Sequence, residues 1–189
     1  REGYVGSFPD ISATKIVVIG DVMLDRFWAG NCRRISPEAP VPIVDIQTKE
    51  DRAGGAGNVA VNLANLGASV SLVGIVGNDQ YGSELKKCVE SAGVCWEVLQ
   101  CEAETIIKFR VLSRNQQLLR MDFEQHLSEY ADKFFLEHTQ QQIENADLVV
   151  FSDYGKGSLS SINLLLQYCR RVDKTTLIDP KGDCFEKYR

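Results

Sequence analysis

Hydrophobic residues fall along this chain in two alternating rhythms. Lys15-Ile-Val-Val-Ile-Gly20 is a continuous β-branched run bounded by polar residues, the pattern of a strand buried on both faces. From Asn58 onward, Val59, Leu63 and Leu66 recur at helical spacing, and Gly67 stands where a helix would stop. Ser69 to Val76 predicts a second strand. Tyr81, Leu85, Cys88, Val89 and Ala92 then lie on one helical face ending at Gly93, and Val94 to Leu99 predicts a third strand. Further on come a helix from about Glu129 to Asn145, a strand at Leu148 to Ser152, a helix carrying Ile162, Leu165, Leu166 and Cys169, and a strand at Thr176 to Ile178. Repeated strand-helix-strand units need right-handed crossovers, so the predicted fold class is α/β, a mostly parallel sheet flanked by helices.

Two stretches break that alternation. Thr105 to Leu112 and Gln117 to Glu124 are extended runs around the polar turn Ser113-Arg-Asn-Gln116, which predicts a β-hairpin. Arg26 to Asp45 carries Pro37, Pro40 and Pro42, followed by Ile43-Val-Asp-Ile46. Together, segments 26–46 and 105–124 are expected to form a small β lid standing off the main sheet. Residues 1–14 read as an N-terminal extension and 15–189 as the N-terminal part of a larger domain. The chain opens on Arg1 without a methionine and stops at Arg189, just after a predicted strand and turn.

Charge and composition narrow the class. With 26 acidic against 21 basic residues and a net charge of −5, general nucleic-acid binding is excluded. The longest apolar run near the start is cut by Asp21 and Asp25, far short of the roughly 20 residues that span a bilayer, and no secretion signal is visible. Six cysteines without a C-x-x-C pair read as free thiols, and the expected location is the cytoplasm.

The chemistry gathers at strand ends. Gly55-Ala56-Gly57-Asn58-Val59-Ala60 fits a dinucleotide fingerprint, but that motif belongs in the turn directly after the first strand. Here the first strand runs into Gly20-Asp-Val-Met23, and the glycines follow Lys49-Glu-Asp-Arg52, which does not read as a buried strand. A nicotinamide dinucleotide site is therefore not expected. The glycines still allow a ligand close to main-chain amides, and Asn58 offers donor and acceptor to hydroxyl groups. A glycine turn serving only tight packing is the plainer alternative. Asp21 and Asp25 follow the first strand and Asp153 follows the strand at Leu148 to Ser152, placing carboxylates at the edge where open α/β sheets bind ligands.

Thr105 to Met121 holds Lys108, Arg110, Arg114 and Arg120 and no acidic residue. On an alternating strand Lys108 and Arg110 share a face and could close on one phosphate; an edge strand blunted by charge is the alternative. Ser152-Asp-Tyr-Gly-Lys-Gly157 and Ile178-Asp-Pro-Lys-Gly182 put Lys156, Asp179 and Lys181 near the same edge as phosphate or nucleotide candidates, or as ordinary loop residues.

These pieces resemble one family. AGGAGNVAVNLANLG is similar to the first signature of the ribokinase-like (PfkB) carbohydrate kinases. GDVMLDRFW, RISPEAPVP, RVLSRNQQLLRMDFE, SDYGKG and DPKG resemble, within it, the heptose 7-phosphate kinase domains of ADP-heptose synthesis proteins in Gram-negative bacteria. The resemblance implies a ribokinase-like fold and ATP-dependent, Mg²⁺-assisted phosphorylation at the anomeric hydroxyl of D-glycero-D-manno-heptose 7-phosphate, a step toward lipopolysaccharide core. It places Asp25, Gly54, Gly55, Asn58 and Asp153 on the sugar, and makes the β lid a dimer interface; Lys108 and Arg110 would suit a substrate that already carries a phosphate. The family's catalytic base is the Asp of a Gly-x-Gly-Asp motif, and an Asn-x-x-Glu motif helps place nucleotide and Mg²⁺. Neither pattern occurs in this sequence. The base is therefore expected beyond Arg189, with this chain close to inactive alone; a non-catalytic sugar-phosphate-binding or dimerisation module is the alternative.

Overall fold

The computed structural model describes residues 10–114, 116–183 and 185–189. Most of the N-terminal extension therefore lies outside the described residues, as do Asn115 of the predicted turn and Cys184. The chain runs β1 (Lys15–Gly20), β2 (Val22–Ile35), β3 (Pro42–Gly55), α1 (Ala56–Asn65), β4 (Ser69–Val73), β5 (Ile75–Gly77), α2 (Gln80–Ser91), β6 (Cys95–Trp96) and β7 (Leu99–Cys101). It continues with β8 (Ile107–Ser113), β9 (Gln116–Phe123), α3 (Lys133–Glu144), β10 (Leu148–Ser152), α4 (Ile162–Arg171), β11 (Thr175–Asp179) and a 3-10 turn at Glu186–Tyr188.

A five-stranded sheet in the order β11-β10-β1-β4-β6 forms the centre, every pairing parallel. The β-branched run of β1 explains its place. Ile16 and Val18 pack into one core with Val70, Leu72, Ala60, Leu85 and Val89, on the side of α1 and α2. Val17 and Ile19 pack into another with Phe135, Ile143, Phe151, Leu165 and Cys169, on the side of α3 and α4. A strand that is apolar at every position from Ile16 to Ile19 suits a sheet covered on both faces. Burial also pushes the Cys169 thiol up to about 11, which makes it an inert core residue.

The predicted strand at Ser69 to Val76 divides at Gly74. β4 stays in the main sheet, whereas β5 turns away to pair with β7, so the predicted strand at Val94 to Leu99 is likewise shared between two sheets. The predicted helix from Glu129 begins later, because Asp132 caps α3 by accepting from the Phe135 amide at 3.0 Å.

A second sheet rises from the carboxyl end of β1 in the order β3-β2-β8-β9. It is larger than the sequence implies. β2 and β3 form an antiparallel pair from Val22↔Gly55 out to Ile35↔Pro42, with irregularities at Ala29/Gly30 and Cys32/Arg34. Lys49 to Arg52 thus lies in a strand. It escaped the hydrophobic pattern because it is at most half-buried. β8 joins β2 in parallel and β9 joins β8 antiparallel. No helix among the described residues is long and apolar enough to cross a membrane.

Candidate active site

Asp21 is the buried pivot of the carboxyl edge. It is 0% exposed, and its carboxylate accepts from the amides of Tyr154 and Lys156, both at 2.9 Å, and Ser158 at 3.0 Å. Its own carbonyl accepts from the Ala56 amide at 2.9 Å, at the start of α1. Asp21 therefore ties the loop after β10 and the glycine turn to the end of β1. The sequence places Asp21 at the edge where such sheets bind ligands; in the structure backbone amides take both of its carboxylate oxygens.

Asp25 lies on β2, paired across the sheet with Arg52 on one side and Lys108 on the other. Its Oδ1 accepts from Arg110 Nη1 at 2.7 Å, and the Arg110 guanidinium stacks 5.0 Å from the centre of the Phe27 ring. Gly54 is needed beside it: a Cβ there would stand 2.5 Å from Asp25 Oδ2. Gly55 has φ +57, and a Cβ would meet the Asp21 carbonyl at 2.2 Å, so both glycines are fixed by close approach. Asn58 is exposed in the first turn of α1, a turn that carries no side-chain cap and no acidic residue.

Lys108 and Arg110 do share a face, as the alternation predicts. That face is not the bare cationic surface implied by the run from Thr105 to Met121. Lys108 Nζ meets Glu124 Oε1 at 2.8 Å and Asp122 Oδ2 at 3.4 Å, while Arg120 holds Asp122 in a forked pair at 2.7 and 2.6 Å. Arg120 first, then Lys108, lowers the Asp122 carboxyl to about 2. Asp122 and Glu124 were missed as site residues because they fall just past the acid-free stretch. The two-residue alternation Arg120, Asp122, Glu124 along one face of the predicted strand was the available signal.

Asp153 is 6% exposed and taken up from within the chain. Its Oδ1 accepts from the Gly155 amide at 2.7 Å, and its Oδ2 accepts from Lys187 Nζ at 2.7 Å and the Tyr188 hydroxyl at 2.8 Å. Burial works against its ionisation, but Lys187, the Gly155 amide and Tyr188 outweigh it and hold the carboxyl below its usual range. Tyr188 also accepts from the Lys181 amide at 2.9 Å. Lys187 and Tyr188 carry no motif, and only the fold brings them to Asp153. Asp179 and Lys181 are exposed at the end of β11. Lys156 reaches the opposite way, to Glu124 Oε2 at 2.5 Å. The candidates thus fall into two groups, one on the second sheet around Asp25 and Lys108, the other around Asp153.

A parallel α/β sheet with a second sheet rising from its carboxyl edge, joined through a glycine turn that starts a helix, is the ribokinase-like architecture. A carbohydrate kinase from Agrobacterium tumefaciens superposes with a TM-score of 0.69 at 20% identity, covering 87% of this chain and 53% of that one. The Arabidopsis thaliana ribokinase complexed with ribose and ATP gives 0.60 at 16% identity, covering 90% and 54%. Residues 13–189 match the family described as pfkB family carbohydrate kinase, and the chain belongs to it. Among its curated relatives, Bifunctional protein HldE of Hydrogenovibrio crunogenus is 46% identical over 179 residues, which is 95% of this chain and 37% of that protein. Bifunctional protein HldE of Haemophilus influenzae strain PittEE is 45% identical over 181 residues, 95% of this chain and 38% of that protein. The chain spans well under half the length of these relatives.

Proposed function

We propose that this chain forms the sugar-binding part of a cytoplasmic kinase that transfers phosphate from ATP to the anomeric hydroxyl of D-glycero-D-manno-heptose 7-phosphate, a step in ADP-heptose synthesis. The observation that carries the reading is the charged face of the second sheet. There Asp25, held by Arg110 and given room by Gly54, lies beside Lys108, so one surface offers a carboxylate for hydroxyl groups and cations for a phosphate. Gly55 and Asn58 follow Gly54 in the chain at the start of α1, and Asp153 is the carboxylate of the loop after β10. The second sheet is the lid in this reading. Its opposite face carries Trp28, Phe109, Leu119, Met121 and Phe123, with Leu119 49% and Phe123 51% exposed, which suits a lid-to-lid homodimer.

ATP and Mg²⁺ come to this reading from the family alone. Among the described residues no group of three His, Cys, Asp or Glu side chains could hold a metal ion, and the Gly-x-Gly-Asp and Asn-x-x-Glu motifs are absent from this sequence. The residues present therefore do not assemble the nucleotide and metal site, and no phosphoryl-transfer step is assigned to them. Lys156, Asp179 and Lys181 are left as contacts to a phosphate or nucleotide. That same absence favours a second reading, a module that binds sugar phosphate without catalysis. ADP release by the intact protein given heptose 7-phosphate and MgATP is the expected result. Sugar-phosphate binding with no ADP formed would favour the module, and neither binding nor ADP would overturn both.

A further inference from the structure

Most cations around Asp25 have a carboxylate of their own. Arg110 is paired with Asp25, Arg120 with Asp122 and Arg52 with Glu50. Lys108 and Lys156 differ, because one carboxylate, Glu124, bridges both: Oε1 lies 2.8 Å from Lys108 Nζ and Oε2 lies 2.5 Å from Lys156 Nζ. The second contact of Lys108, to Asp122, is longer at 3.4 Å and shared with Arg120. The bridge is also where the second sheet meets the body of the molecule. Lys108 belongs to β8, whereas Lys156 belongs to the loop that Asp21 holds by its amides, and the Lys156 carbonyl accepts from Leu127 at 2.7 Å.

We propose that Glu124 occupies the seat of the substrate's phosphate, and that Lys108 and Lys156 are the two arms that take the phosphate when Glu124 leaves. This rests on the sugar-phosphate reading above and names the residues that would distinguish a phosphorylated sugar from a plain one. The charges favour the exchange. Two ammonium groups around one carboxylate carry a net charge of about +1, and a phosphate of about −1.5 to −2 neutralises them more fully. Lys108 first, and then Lys156, holds the Glu124 carboxyl below its usual range, so it is ionised whenever the site is in use. Glu124 follows the last residue of β9 and lies outside any strand or helix, so its side chain can swing away without disturbing the sheet. The lysines are more firmly placed, their side chains only 13% and 21% exposed. A phosphate in this seat would join the second sheet to the loop after β10, as Glu124 does in its absence.

The test is Glu124→Gln in the intact protein, titrated with heptose 7-phosphate, unphosphorylated heptose and inorganic phosphate. Removing a competing charge is expected to tighten heptose 7-phosphate and inorganic phosphate by roughly three- to tenfold and to leave plain heptose unchanged. Misfolding cannot produce such a gain. Lys156→Met is expected to weaken heptose 7-phosphate by roughly tenfold or more while plain heptose binds as before. Unchanged or weaker phosphate binding in Glu124→Gln, or equal loss of both sugars in Lys156→Met, would overturn the assignment. If the unaltered protein binds neither sugar, the sugar-phosphate reading fails by itself; the response of inorganic phosphate to Glu124→Gln still decides whether the seat exists.

Discussion

Gly54 and Asp25 are locked by space: a Cβ on Gly54 would lie 2.5 Å from Asp25 Oδ2 and 2.9 Å from its carboxyl carbon. The glycine signature therefore serves the carboxylate across the strand as well as any ligand. Gly54→Ala is expected to push Asp25 off Arg110, lowering sugar affinity by roughly tenfold while overpacking costs about 1–3 kcal/mol. Calorimetric titration beside a thermal melt checks this. Full stability with unchanged affinity would show that the site does not depend on Asp25 in this position.

Asp21→Asn tests the pivot at the carboxyl edge. An amide keeps the shape but turns one acceptor into a donor that faces backbone N–H groups. The expected loss is about 3 kcal/mol in urea unfolding, with the amides of Tyr154, Lys156 and Ser158 exchanging hydrogen faster than the rest of the sheet. A uniform rise in exchange would mean that Asp21 supports the whole fold rather than this loop.

Arg26 fastens the second sheet to the body. It forks onto Asp51 at 2.7 Å, reaches Glu84 of α2 at 2.5 Å, and lies 5.3 Å from the centre of the Tyr81 ring. Arg26→Ala leaves two half-buried carboxylates without their cation and is expected to cost about 2 kcal/mol, more than Glu84→Gln, which leaves the Asp51 fork intact. A double-mutant cycle read by chemical denaturation gives the coupling. Independent effects would show that the sheet is held by packing alone.

Acid should weaken the protein in a defined window. The Asp122 carboxyl is lowered to about 2, and those of Glu124 and Asp153 lie below their usual range. Folded values below the unfolded ones, about 3.9 for Asp and 4.3 for Glu, add stability above that range, which is lost as pH falls through the folded values. Denaturation midpoints are expected to be level above about pH 5 and to drop between about pH 4 and 2. Asp122→Asn should shallow the drop only slightly, since water screens this exposed pair, and high salt should do the same. A midpoint that rises on acidification would reverse the sign of these pairings.

Much of this protein is written in local patterns. The apolar run of β1, the strand at Leu148 to Ser152 and the helix through Ile162, Leu165, Leu166 and Cys169 are legible because burial on both sheet faces, or on one helix face, imposes a period on the residues themselves. Lys108 and Arg110 could be placed on one face for the same reason. The extent of β2 and β3 was hidden because a half-exposed sheet imposes no apolar rhythm, and its register runs between residues far apart in the chain. The partners were hidden as well. That Asp21 serves backbone amides, that Tyr188 and Lys187 take Asp153, and that Glu124 joins Lys108 to Lys156 depend on which distant groups come within hydrogen-bonding distance. The sequence alone determined the family and the layered α/β plan, because these follow from motif and periodicity, and it put forward the candidate residues. Tertiary structure decided which of those residues are already paired, because charge pairing depends on distance in space rather than position along the chain.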